Sequence, residues 1–294
     1  MKRKGKNIIS FFLGVILMLL LIVAISASFI RFVFINPETY LNILHNKGCE
    51  EQIFTTINDN LRFALTVNNL PDDILEGVIT KDDVYEKVDN YVLSIVEYLG
   101  TGENKVTSVN ADMYVDNIYE RIDKYFKDNS VEINDKLLKD IESLKQSMNQ
   151  IIKGELEIIN SDIIIKSSKI GILSSILGKF NTNTYWLFFV PILAIIDAII
   201  LLWFRNIRIG LRWICRSIIA TGIILSLIFI SGYISGFYNN VIIYIPYLKA
   251  FVSDVIRKEI IWMLTSGVIT LIIGILMYIF TYVRIKKKKL ASCD

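Results

Sequence analysis

Four long stretches of the chain carry almost no charge, and the rest alternates in helical rhythm. The first stretch, IISFFLGVILMLLLIVAISASFI, runs from Ile8 to Ile30. As a helix it would rise roughly 34 Å, enough to cross a hydrocarbon core of about 30 Å. The others run from Tyr185 to Phe204, Trp213 to Gly236 and Ile260 to Val283. Backbone polar groups cannot stay unpaired in lipid, so each run is predicted to be a helix. A β-barrel is excluded because the runs do not alternate apolar with polar positions. The first run is longer than the apolar core of a cleaved leader, so it reads as an anchor that is kept.

Between the first and second runs the pattern changes to amphipathic stripes. Ile53, Ile57, Leu61 and Leu65 recur every four residues, and Val84, Val88, Tyr91, Ile95 and Leu99 form a second stripe. Thr80 and Asp83 have the spacing of a start cap for that second helix. GTGE at 100–103 breaks it. Val115, Ile118, Ile122, Tyr125 and Phe126 make a third stripe, and Ile133, Leu137, Ile141, Leu144, Met148 and Ile151 a fourth. The fourth resembles a coiled-coil seam, but it covers too few heptads to favour a dimer over a bundle core. Pro71 is placed to open a short helix, PDDILEGV. The weaker stripe from Leu156 to Phe180 reads as a connector lying on the membrane or under the bundle. The apolar loop from Tyr238 to Glu259 has the same two readings.

These patterns predict an all-α integral membrane protein: four transmembrane helices with an extracytoplasmic helical-bundle domain inserted between helices 1 and 2. The segments are a basic N-terminus (1–7), the first span (8–30), the inserted domain (31–184), the second span (185–204) and a basic loop (205–212). The third span (213–236), an interfacial loop (237–259), the fourth span (260–283) and a polybasic tail (284–294) follow. Composition agrees: 53% of the 294 residues are hydrophobic, and mean hydropathy is +0.48, high for a soluble domain.

Charge sets the direction. Lys2, Arg3, Lys4 and Lys6 precede the first run; Arg205, Arg208, Arg212 and Arg216 lie between the second and third; Arg284 and Lys286 to Lys289 follow the fourth. The stretch from Glu38 to Thr184 instead holds 25 acidic against 15 basic residues. Basic segments stay in the cytoplasm, so both termini are expected inside a plasma membrane and the acidic domain outside. Tyr185, Trp186, Trp203, Trp213, Tyr233, Tyr238, Trp262 and Tyr282 stand near the ends of the runs, where amphipathic rings favour the headgroup level. The polybasic tail adds attraction to an anionic leaflet.

Chemistry is sparse. The single histidine, His45, reads as solvated, and it leaves no multi-histidine metal site. No catalytic, cofactor-binding or metal-ligating set is nominated. GILSSILGK at 171–179 lacks the glycine spacing and the Ser or Thr of a phosphate loop. The acid pairs Glu50-Glu51, Asp72-Asp73 and Asp82-Asp83 read as helix-start charges. Cys49 would lie outside, away from Cys215 and Cys293, and reads as a plain thiol, with a cross-link between two chains as the alternative.

The most distinctive polar position is Asp197, within PILAIIDAIILLWFR. A carboxylate at that depth costs about 2.5–3.5 kcal/mol on insertion scales, so it should face protein. Thr221 and Arg216 are its expected partners, with Thr270 a more distant candidate. Gly232 and Gly236 form a G-x-x-x-G, and Ser266, Thr270 and Gly274 repeat the small-residue spacing, so both sets are expected at helix–helix contacts. The spans lack the several polar groups that a transport cavity needs.

The expected partners are therefore the lipid bilayer, an envelope component or protein at the acidic domain, and a second copy of the chain. Nucleic acid is not expected, because the inserted domain is acidic. The function expected is non-enzymatic binding through that domain. One span, a large outer domain and three further spans is also the order in permease subunits of cell-division and macrolide-export ABC systems. That resemblance is one of topology only, and it implies the alternative of a subunit in a transport or signalling complex.

Overall fold

The computed structural model describes residues 3–102, 106–131, 134–203 and 207–290. Glu103, Ile133, Phe204, Arg205, Cys293 and the outermost terminal residues, all invoked above, lie outside the described residues. The described chain is helical throughout, with no strand among the described residues. It divides into two compact units.

The apolar unit comprises Met1–Ile35, Lys179–Ile242 and Val252–Asp294. Among the described residues, three helical segments are long and apolar enough to cross a membrane: Ile8–Phe34, Ile207–Ser235 and Pro246–Tyr282. The first combines α1 (Arg3–Phe29) with a π-helical turn, Ile30–Phe34. The second is α10 (Ile207–Ser235), and the third belongs to α11 (Pro246–Leu290), a 45-residue helix. The apolar part of α9 (Asn183–Trp203), Phe189–Trp203, is shorter than these.

Two helix starts differ from the sequence reading. α10 begins at Ile207, not Trp213, so Arg208 and Arg212 sit on its first turns and not in a loop. α11 begins at Pro246, well before Ile260, because proline suits a helix's first turn and no breaker follows it. Within the unit α10 is the common neighbour. Leu17 of α1, Ile200 of α9 and Ile214 of α10 share one buried core, flanked by Leu13, Leu193 and Trp213.

The second unit, the head, comprises Asn36–Gly178 and Ile243–Phe251. Asn36 caps α2 (Pro37–Asn46) by accepting a hydrogen bond from the Glu38 N–H at 3.1 Å. α3 (Cys49–Val67) buries Ile53, Ile57, Leu61 and Leu65, the whole expected stripe. After the 3-10 turn Asp72–Leu75, α4 (Lys81–Thr101) opens on a capping box: Thr80 and Asp83 exchange side-chain-to-backbone hydrogen bonds of 3.2 and 3.0 Å. α4 buries Val92 and Val96 rather than Ile95 and Leu99. The stripe read through Tyr91 steps by three there, whereas the buried face continues by fours from Val88 through Val92 and Val96, with Tyr91 at its edge.

α5 (Asp112–Asp128) and α6 (Asp135–Leu156) complete the bundle. α6 buries Ile141, Leu144, Met148, Ile152 and Leu156 inside the chain. The buried position is Ile152, not Ile151, so the stripe follows a bundle core and not a heptad seam. A short α7 (Ser161–Lys166) leads to α8 (Ser168–Asn181), which packs on the end of α4. There a Cβ on Gly178 would lie 3.1 Å from the Thr101 carbonyl oxygen. Gly178 thus serves helix packing.

Part of the apolar loop also belongs to the head. The Tyr247 hydroxyl donates to Glu155 Oε2 at 2.7 Å, and the Cys49 thiol lies 3.8 Å from the Tyr247 carbonyl oxygen. Cys49 is buried, which removes it as a ready cross-link between chains. Tyr244, next to this anchored turn, is 94% exposed.

Candidate functional site

The polar set expected around Asp197 is not assembled as the sequence suggested. Thr221 is fully buried, but its hydroxyl donates to Ser217 O at 2.9 Å and to Met18 O of α1 at 3.3 Å. One turn earlier, Ser217 donates to Gly14 O at 2.9 Å. Thr221 and Ser217 therefore fasten α10 to α1. Arg216 is exposed and lies over the Trp213 ring, 5.1 Å from its centroid. Asp197 Oδ1 is buried and accepts no hydrogen bond among the described residues.

The reason is register. α9 and α10 meet where a Cβ on Gly210 would lie 3.1 Å from Ile200 O and from Leu201 Cα. That pairing brings Trp213, not Thr221, to the level of Asp197. Depth counted from the expected start at Trp213 misplaces Thr221 by about two turns.

Small residues do bring two helices together, but mostly not those singled out. A Cβ on Gly222 would meet Leu271 N at 2.5 Å; one on Gly267 would meet Ser226 N at 2.9 Å; one on Gly274 would meet Ile219 N at 3.0 Å. These pairs describe one antiparallel register in which the backbones of α10 and α11 touch. Arg212, whose guanidinium lies 5.9 Å from the Tyr282 ring centroid, continues the same register. Gly274 is thus at the seam.

Gly232 and Gly236 are not at the seam. Gly236 has φ +62° and ends α10 in a turn, and a Cβ on Gly232 would meet only Phe237, at 3.7 Å. Ser266 and Thr270 donate to carbonyls of their own helix, Trp262 O and Ser266 O. The small-residue rule finds the right helix, α11, and Gly274, but beside Ser266 and Thr270 the contact falls one residue further on, at Gly267 and Leu271.

The head holds a candidate site of its own. A groove of about 510 Å³ runs between α3 and α6, lined by Phe63, Ala64, Val67, Leu144 and Ile151 with Asn60, Asn68, Asp140, Ser143 and Ser147. Phe63 is 71% exposed and Val67 63%. α3 faces its stripe inward at Leu61 and Leu65, which turns Phe63 and Val67 out. The mix of an apolar strip with short polar side chains suits an apolar-faced segment.

A second cluster lies at the other end of α3. His45 near the end of α2, Glu50 in the first turn of α3 and Asp89 of α4 bring ligand-type atoms within 4.8 Å of one another. His45 Nε2 lies 2.9 Å from Glu50 Oε1 and 3.2 Å from each Asp89 oxygen. Burial pushes the Glu50 carboxyl above its ordinary value, with His45 pulling the other way and Asp89 adding to the rise. His45 is thus in an ionic cluster, not simply solvated, and Glu50 is not merely a helix-start charge. No sequence spacing signals this, because the three residues come from three helices.

A third polar knot closes the turn after α6. Glu157 accepts from Ser108 Oγ at 2.8 Å, Val109 N at 3.1 Å, Ser161 N at 3.2 Å and Ser161 Oγ at 2.9 Å. The buried Tyr91 hydroxyl donates to the Ile159 carbonyl in the same turn. Burial works to raise the Glu157 carboxyl, but the four hydrogen bonds outweigh it and hold the group below its ordinary range. Every acceptor position is used internally, so this is a structural knot.

No family model, no curated protein and no solved structure matches the chain.

Proposed function

We propose that this is a multi-pass, non-enzymatic plasma-membrane protein whose acidic head, held outside the cell, binds a protein partner or envelope component. α1, α9, α10 and α11 are its four spans in this reading, and both termini are cytoplasmic. The observation that carries the binding role is the groove between α3 and α6, where Phe63 and Val67 stand exposed beside buried stripe residues. A large ring held outward on a rigid helix costs little entropy when it docks, which is why aromatic anchors dominate interfaces.

A photo-crosslinking side chain placed at Phe63 of the full-length protein in cells is expected to give a discrete adduct. The adduct should disappear when Val67→Asp is added, while a probe at the exposed Glu97 gives none. Equal adducts at both positions, or none at Phe63, would defeat the groove as the binding site.

The orientation rests on the basic segments and is tested separately. Cys49 and Cys215 are buried and should stay silent to thiol reagents. In intact cells a membrane-impermeant maleimide is expected to label a Glu97→Cys variant at that position, and to reach Cys293 only after permeabilisation. Labelling of Cys293 in intact cells would reverse the topology.

A further inference from the structure

The observation of most consequence outside the groove is a buried oxygen without a hydrogen bond. Glu50 is 1% exposed, and its Oε1 accepts no hydrogen bond, although it lies 2.9 Å from His45 Nε2. A buried carboxylate oxygen left without a directed partner is costly, and native structures rarely leave one so. Asp89 approaches the same imidazole nitrogen from α4 with both oxygens at 3.2 Å. One nitrogen carries at most one proton, so it cannot satisfy two carboxylates at once.

We infer that His45, Glu50 and Asp89 form a binding site for one divalent transition-metal ion of the zinc class. The donor set of one imidazole and two carboxylates is one that such ions accept. The spacing fits too. Ligands about 2.1 Å from a tetrahedral ion stand roughly 3.4 Å apart, slightly beyond the 2.9 and 3.2 Å seen here. The adjustment falls on His45, whose side chain is 48% exposed and free to withdraw outward. That exposed side also offers the ion an entry path from solvent.

The ion would tie the end of α2 to the start of α3 and to the middle of α4. Gly48, at φ +59°, makes the turn that brings His45 and Glu50 to one point. The site is at the opposite end of α3 from the groove, and it stands independently of the partner-binding reading.

The chain's single histidine makes the test direct. The full-length protein is labelled with ¹⁵N-histidine, purified in detergent, stripped with chelator and titrated with Zn²⁺. Saturation at one equivalent is expected, with a coordination shift at Nε2 and not at Nδ1. Asp89→Asn, at the solvent side of the cluster, should weaken Zn²⁺ binding by more than about tenfold, since even outer-shell changes cost that much. Glu50→Gln should do the same.

Asp89→Asn keeps the test informative even where Glu50→Gln does not fold. An imidazole protonated on both nitrogens and unmoved by Zn²⁺ would overturn the proposal and leave an ion triad. Zn²⁺ binding of equal strength in Asp89→Asn would overturn it as well, by placing the ion elsewhere.

Discussion

Replacing Glu157 by alanine is expected to destabilise the head by about 3–5 kcal/mol, since each buried donor left without its acceptor costs about 1–3 kcal/mol. Four donors lose their acceptor at once: the Ser108 and Ser161 hydroxyls and the Val109 and Ser161 N–H groups. Ser161 and Val109 are buried, so water replaces the carboxylate poorly. Glu157→Gln keeps one acceptor oxygen but aims an amide N–H₂ at a donor, and about 1–3 kcal/mol is expected.

The pH dependence has a definite sign. The folded carboxyl is held below its ordinary value of 4.5. Its stabilising contribution is therefore complete above the unfolded value and fades as pH falls through the folded one. Thermal unfolding in detergent should show wild type and Glu157→Gln converging below about pH 4.5. A gap between them that is constant down to pH 3 would contradict the assignment.

The second large effect belongs to the seam. Gly222→Ala sets a methyl 2.5 Å from Leu271 N and 2.7 Å from Leu271 Cα, and backbone cannot swing aside as a side chain can. α10 and α11 must separate along their whole contact. Overpacking costs about 1–3 kcal/mol where side chains can give, and the loss should reach or exceed the top of that range. Gly232→Ala, with only Phe237 at 3.7 Å, is the matched control and should be close to neutral. Equal midpoints for the two variants in detergent unfolding would refute the backbone contact.

The sequence revealed periodic features and missed relational ones. The stripe Ile53, Ile57, Leu61 and Leu65 is buried throughout, because an amphipathic helix in a bundle has only one face to hide. The Thr80–Asp83 cap was legible because its chemistry is local. The long apolar helices were legible because length and charge alone define them. The partner of Thr221 was not, since depth along a helix says nothing about which neighbour its face meets. Here that face meets Met18 of α1.

The same holds for His45 and Asp89, separated by a helix and a turn in sequence yet adjacent in space. Glu157 looked like one acid among many. Only its four donors, two of them contributed by the loop before α5, single it out.

The touching backbones of α10 and α11 also bear on stoichiometry. Glycine-lined faces are a common means by which identical helices find each other in a bilayer. In this molecule Gly222, Gly267 and Gly274 are already spent on an intramolecular partner. Any self-assembly must recruit other surfaces, so the glycine hairpin acts as a brake on promiscuous clustering in the plane of the lipid.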